Sequence, residues 1–155
     1  MISTLQKPLN SGFGQKTEPY EIIRDLDLSD KNIIVTGGYS GIGLETTKAL
    51  AKANATVIVP AKRLDHAESI LDGIVPQNDI YEMDLADLNS VMSFVELFSQ
   101  LNIKLDILIN NAGVNVDNLS LRMSQLEWQQ VIDINLTSTF LLCKFFLKKM
   151  IKILE

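Results

Sequence analysis

The sequence of 155 residues predicts a doubly wound α/β domain with a parallel sheet, on three observations. Short β-branched runs alternate with longer amphipathic stretches, the strand candidates are apolar almost throughout, and glycines cluster where the first strand gives way to the first helix. A strand covered on both faces needs no polar alternation, so such runs place helices on either side of the sheet. In the doubly wound order the four strands would lie 3-2-1-4.

The first strand is expected over Asn32–Thr36, where Ile33, Ile34 and Val35 precede the break at Gly37-Gly38. Gly41–Ala53 reads as a helix, with Ile42, Ala49, Leu50 and Ala53 on its inner face and Glu45, Lys48 and Lys52 outside. A second strand over Ala55–Val59, a short helix over Asp65–Leu71 and a third strand over Asp79–Met83 follow. Leu88–Leu101 reads as a helix and Leu105–Ile109 as the fourth strand. Ser124 and Glu127 form a capping box, so a helix starts there and runs, bent, towards Ile153. Its later part carries Phe140, Leu141, Leu142, Phe145, Phe146 and Leu147 and is apolar nearly all round. One core face does not require that much, so this surface is expected to meet another subunit or a further part of the fold.

The length suits one compact domain, taken as residues 28–155, preceded by a mobile arm over residues 1–27 that carries Gly12, Gly14 and Pro19 and no signal-peptide core. A hydrophobic share of 46% with 21% charged residues is ordinary for a globular chain and excludes disorder. Lys and Arg number 14 against 19 Asp and Glu, a net charge of -5, and without a basic block nucleic acid is excluded as a partner. Cys143 is the only cysteine and His66 the only histidine, which argues for a cytoplasmic, reducing setting and no structural metal. Ile134–Leu147 is interrupted by Asn135, Thr137, Ser138 and Lys144 and is expected to be too short and too polar to span a bilayer.

The segment Thr36-Gly37-Gly38-Tyr39-Ser40-Gly41-Ile42-Gly43 stands at the strand-to-helix junction. Glycines there allow positive φ and let a pyrophosphate approach the backbone, held by unpaired amides at the helix start. About 20 residues further on, a carboxylate would bind the ribose hydroxyls of NAD. Lys62-Arg63 stands there instead, and two cations suit the 2′-phosphate of NADP, so NADP is expected over NAD.

Four motifs in order resemble the short-chain dehydrogenases/reductases: the glycine turn, Asp84-Leu85 after the third strand, Asn110-Asn111-Ala112-Gly113 after the fourth, and Asn135 between Ile134 and Leu136. The resemblance runs from about Leu28 to Lys152 and implies a Rossmann fold cut short after the helix that follows the fourth strand. It also implies that Asp84 and Leu85 lie along the adenine and that Asn111, Ala112 and Gly113 line the cofactor cleft. Asn135 becomes the active-site asparagine that helps hold a proton-relay water.

The activity so implied is hydride transfer between a nicotinamide and a small carbonyl or alcohol substrate. Asn110 to Lys152 looks most like the 3-oxoacyl-carrier-protein reductases, which suggests an acyl thioester, whereas the glycine turn and Val59 to Arg63 look more like retinol-dehydrogenase-like oxidoreductases. The family's chemistry uses a tyrosine as acid, a lysine four residues later and a serine. Tyr20, Tyr39 and Tyr81 are followed at that spacing by Arg24, Gly43 and Leu85, so the 155 residues are expected to bind cofactor without redox turnover. The other reading is a catalytically dead dinucleotide-binding subunit or sensor that pairs with another chain, or with its own copy, through the Phe140 to Leu147 helix.

Overall fold

A computed structural model describes residues 11–119 and 121–151. Pro19–Ile23 (α1), Asn32–Val35 (β1), Gly41–Lys52 (α2), Thr56–Ala61 (β2), Leu64–Leu71 (α3) and Ile80–Glu82 (β3) are followed by Leu88–Gln100 (α4), Ile107–Ile109 (β4), Gln125–Ile132 (α5) and Ser138–Ile151 (α6). The strands form one parallel sheet in the order β3-β2-β1-β4, as the doubly wound reading requires. Register is fixed by Ile33 opposite Val57 and Ile107, and by Val59 opposite Ile80.

Alternation within the strands sorts the core into two layers, because successive side chains leave a strand on opposite faces. Ile34 and Ile58 face α4 and α6, where Val91, Phe94, Phe98, Leu142 and Phe146 pack around them. Ile33, Val35, Val57 and Val59 face the other way, against Ala67, Leu71 and Val75, with Leu44 and Leu50 of α2 alongside. Phe146 stands edge-on to Phe98 at 5.4 Å between centroids and 6.2 Å from Phe94, so an aromatic cluster clamps α6 to α4.

Several boundaries differ from the sequence reading. β2 runs two residues further, through Pro60 and Ala61, which brings Lys62-Arg63 directly to the end of the strand. Asp79 belongs to a 3₁₀ turn over Gln77–Asp79 that precedes β3, and Leu105 lies ahead of β4. Ile42, expected on the inner face of α2, is 82% exposed. The helix is phased by Gly43, Thr47 and Ala49, which are buried against the sheet, and Ile42 is turned about 100° away from Gly43. The expected arm carries a helical turn, α1, which lies against α2 with Lys52 Nζ 5.4 Å from the centre of the Tyr20 ring.

The bend expected in the last helix is a π-helical turn, Asp133–Thr137, joining α5 to α6. Gln125–Lys148, a longer stretch than the Ile134–Leu147 considered from the sequence, forms one helical run long and apolar enough to cross a bilayer by length and composition. Part of that hydropathy is spent inside the protein, since Leu142 and Phe146 are fully buried. Leu136, Phe140 and Leu147 remain more than half exposed along the same run, as does Ile151 just beyond it.

Candidate functional site

At the end of β1 the chain turns through Gly37 at φ +65° and Gly41 at φ +50°, a left-handed geometry that side chains disfavour. Ser40 sits at the N-cap of α2 in extended conformation, but its side chain bonds none of the first-turn amides. Those amides are therefore free to receive an anion at the positive end of the helix. Gly43 faces the turn so closely that a Cβ there would collide with the Gly37 carbonyl oxygen and Asn111 Nδ2. The glycines thus keep the turn and the start of α2 free of side chains of their own, with Asn111 Nδ2 packed against them.

Thr36 and Asn111 hold this turn against the end of β4. The backbone amides of Asn111 and Ala112 both donate to Thr36 Oγ1 at 3.1 Å, and Asn111 Nδ2 donates to the Thr36 carbonyl at 3.0 Å. Thr36 is 2% exposed, so the bonds form away from water and fix the two loops as a unit. Its structural part was not singled out from the sequence, where it reads as the last residue of a strand and the first of the glycine-rich segment. A cavity of about 370 Å³ opens above, lined by Tyr39, Ser40, Ile42, Asn111, Ala112 and Gly113 among others.

A second cavity of about 250 Å³ shares Gly37, Tyr39, Ala112 and Gly113 with the first and extends to the ends of β2 and β3. Its far wall holds Lys62, Asp84 and Leu85. Lys62 Nζ lies 2.7 Å from Asp84 Oδ2, while Asp84 Oδ1 accepts the Ala86 amide at 2.9 Å. Partial burial pushes the Asp84 carboxyl up, yet the Lys62 ammonium and the Ala86 amide outweigh it and hold it below the usual aspartate value. Arg63, at the N-cap of α3, forms no ion pair among the described residues. Tyr39 turns its ring edge to His66 of α3 at 6.2 Å, tying the glycine turn to the loop that carries Arg63.

Asn135 occupies the middle of the π turn. Its Oδ1 accepts the Val114 amide and its Nδ2 donates to the Val114 carbonyl, each at 2.8 Å. The extra residue of the π turn carries the side chain out to that backbone, and Gly113 leaves room, since a Cβ there would lie 3.3 Å from Asn135 Oδ1. Asn135 therefore pins the loop that forms one wall of the cleft. The residues expected from the sequence, from Gly37 to Asn135, line these two cavities or brace their walls, except Gly41, which lies in the turn but lines neither, and Arg63, which lines a neighbouring hollow with His66 and Glu82. A larger cavity of about 780 Å³ beside α3, lined by Asp65, Glu68 and Asp72, touches none of them.

The depressed carboxyls set an acid limit. Asp84 is joined by Asp106, lowered by the Lys104 ammonium and the Asn32 amide, and by Glu127, lowered by the Ser124 backbone amide. A group whose carboxyl is lowered by folding stabilises the fold above its unfolded value and loses that contribution as pH falls through the folded one. Asp79, raised by burial, opposes them. Urea midpoints followed by circular dichroism should stay level from pH 7 to about 5 and drop below about pH 3.9, the ordinary aspartate value. A midpoint that rises on acidification through that window would contradict this assignment.

The chain as a whole matches known proteins. Residues 31–153 match the family model described as short chain dehydrogenase. The 3-oxoacyl-[acyl-carrier-protein] reductase of Aquifex aeolicus is 37% identical over 132 residues, 83% of this chain and 53% of that protein. The chloroplastic short-chain dehydrogenase TIC 32 B of Brassica napus is 34% identical over 145 residues, 90% of this chain and 45% of that one. A metagenomic short-chain oxidoreductase solved in complex with NADP superposes with a TM-score of 0.75 at 25% identity, over 82% of this chain and 59% of that one. The chain spans about half the length of the curated relatives it matches.

Proposed function

The chain belongs to the short-chain dehydrogenase family, and from that premise we propose that it supplies the NADP-binding half of an oxidoreductase acting on a carbonyl and alcohol pair. The observation that carries this reading is the glycine cradle at the start of α2, where Gly37 and Gly41 hold positive φ and the Ser40 side chain caps none of the first-turn amides. The cradle fits a pyrophosphate, because anions are favoured at unpaired amides. When bound, the nicotinamide of NADPH supplies a hydride. The chain's own part is to hold the cofactor: Ser40 and the start of α2 at the pyrophosphate, Leu85 along the adenine, and Arg63 at the 2′-phosphate. The domain is taken as residues 28–155, with α1 of the preceding segment packed on α2.

The substrate class is a 3-oxoacyl thioester, supported by the Aquifex relative. Asn135, which fixes the loop at Val114, has the position to hold a proton-relay water beside the nicotinamide. No tyrosine in these residues has a lysine four places on, so NADPH is expected to bind without being consumed in the presence of an acetoacetyl thioester. The free Cys143 fits a cytoplasmic setting. Self-association through α6 is part of the same reading, supported by the exposed Phe140 and Leu147.

Titration of the chain with each nucleotide tests the cofactor. NADP should bind more tightly than NAD, and Arg63→Asp should cost about tenfold or more in NADP affinity, since a hydrogen bond to a charged group contributes about 1.5–3 kcal/mol. NAD affinity should hold or rise, because the substitution sets a carboxylate where the ribose hydroxyls of NAD are bound. Equal affinity for both nucleotides, unchanged by the substitution, would remove the NADP preference.

A further inference from the structure

Among the described residues, Lys62 and Asp84 are the only charged side chains lining the cavity between the ends of β2 and β3, and they are bonded to each other across it. Both carboxylate oxygens of Asp84 have partners, Oδ2 the Lys62 ammonium and Oδ1 the Ala86 amide. Apart from the uncharged polar side chains of Tyr39 and Gln130, the rest of the wall is apolar or backbone, with Pro60, Met83, Leu85 and Ala112. A flat aromatic base entering this space meets an ion pair between the lips of two neighbouring strands.

We propose that the Lys62–Asp84 pair is a latch across the base-binding cavity, so that Lys62 selects NADP chiefly by penalising NAD. This inference rests on the nucleotide reading above. An adenine that takes Asp84 as hydrogen-bond acceptor displaces Lys62 from it. With NADP, the released ammonium has a new anion in reach, the 2′-phosphate, and one charge pair is exchanged for another. With NAD, the ammonium goes back to water and the pair is lost without replacement. Arg63, which forms no ion pair among the described residues, contributes the direct phosphate contact. The two cations next to each other in sequence thus act differently: Arg63 attracts the right cofactor, and Lys62 also makes the wrong one more costly.

The two actions separate in one variant. If Lys62 were only a phosphate contact, Lys62→Met would weaken NADP and leave NAD unchanged. As a latch, its removal frees Asp84, and NAD should bind about two- to fivefold more tightly, the range an exposed ion pair supports. NADP should weaken. Lys62 is largely exposed, with 64% of its side chain open, so the variant is expected to fold, and Lys62→Gln serves as a second test of the same sign.

Salt gives an independent measurement on the unmodified chain. Adenosine carries no charge, yet its affinity should rise with ionic strength because salt weakens the latch it has to open, and Lys62→Met should abolish that rise. NAD affinity that is unchanged or reduced in both variants, with adenosine affinity flat in salt, overturns the latch. If wild-type chain binds NADP with the expected preference in that case, only the latch falls. If it binds neither nucleotide nor adenosine, the nucleotide reading falls and the latch with it.

Discussion

Gly43→Val is expected to abolish nucleotide binding, by a hundredfold or more on the order of the about 2.7 kcal/mol that two such factors of ten represent. Even the first carbon of the new side chain would collide with the Gly37 carbonyl oxygen and with Asn111 Nδ2. Neither neighbour can yield alone. Gly37 is held at φ +65°, and Asn111 is bonded to the Thr36 carbonyl, so relief requires the whole turn to move away from α2. That movement opens the cradle and breaks the bonds that join the β1 and β4 loops. Overpacking of this kind also costs about 1–3 kcal/mol of stability.

Gly73→Ala is the matching control. Gly73 also has positive φ, +69°, but nothing lies within 4 Å of its missing Cβ, and it stands beyond α3, away from the cleft. It should lose about 1–2 kcal/mol through backbone strain alone and leave nucleotide affinity intact. Thermal melting and nucleotide titration of the two variants read the contrast. A folded Gly43→Val chain with native affinity would mean that the glycine serves the turn and no ligand.

The fold was legible where local chemistry and tertiary demand coincide. Ile33 to Val35 is apolar because both faces of β1 are covered, and Ser124 with Glu127 forms the expected capping box in the structure. Pro60 shows where they diverge. It reads as a strand end, yet β2 continues to Ala61 because residue 60 faces the β1 side, where pairing has already ended at Ile58. The missing amide is therefore not needed, while Ala61 still accepts from Met83 on the β3 side. Ile42 diverges for another reason: an apolar residue one place before a close-packed glycine inherits the wrong helical phase.

The site was legible as separate motifs and illegible as a network. Lys62 and Asp84 were each expected near the nucleotide, but nothing in their 22-residue spacing announces a bond, which exists because β2 and β3 are sheet neighbours. Asn135 was placed by resemblance, whereas its clamp on Val114 depends on a π turn, and one residue of extra helix leaves no periodic trace in a stretch apolar on nearly every side. Thr36 is similar, since its two amide partners come from residues 75 and 76 positions away.

Phe146→Ala is expected to cost about 3–5 kcal/mol of stability, the usual price of removing a buried phenylalanine. That is a large part of the roughly 5–15 kcal/mol that holds a domain together, so the variant should melt far below the native chain. Phe146 is fully buried and meets Phe94 and Phe98 of α4, so its loss empties the contact that seats α6 on the sheet. Phe140, six residues earlier on the same helix, is 60% exposed and should respond oppositely. Phe140→Ser should change stability by no more than about 0.5 kcal/mol, as surface substitutions do. It interrupts the row of Leu136, Phe140, Leu147 and Ile151, however, and should shift the chain towards monomer. Urea titration separates the first effect and sedimentation across a concentration series the second. Equal destabilisation by both substitutions would mean that the outer face of α6 is covered within the monomer, and unchanged sedimentation of Phe140→Ser would remove that face from self-association.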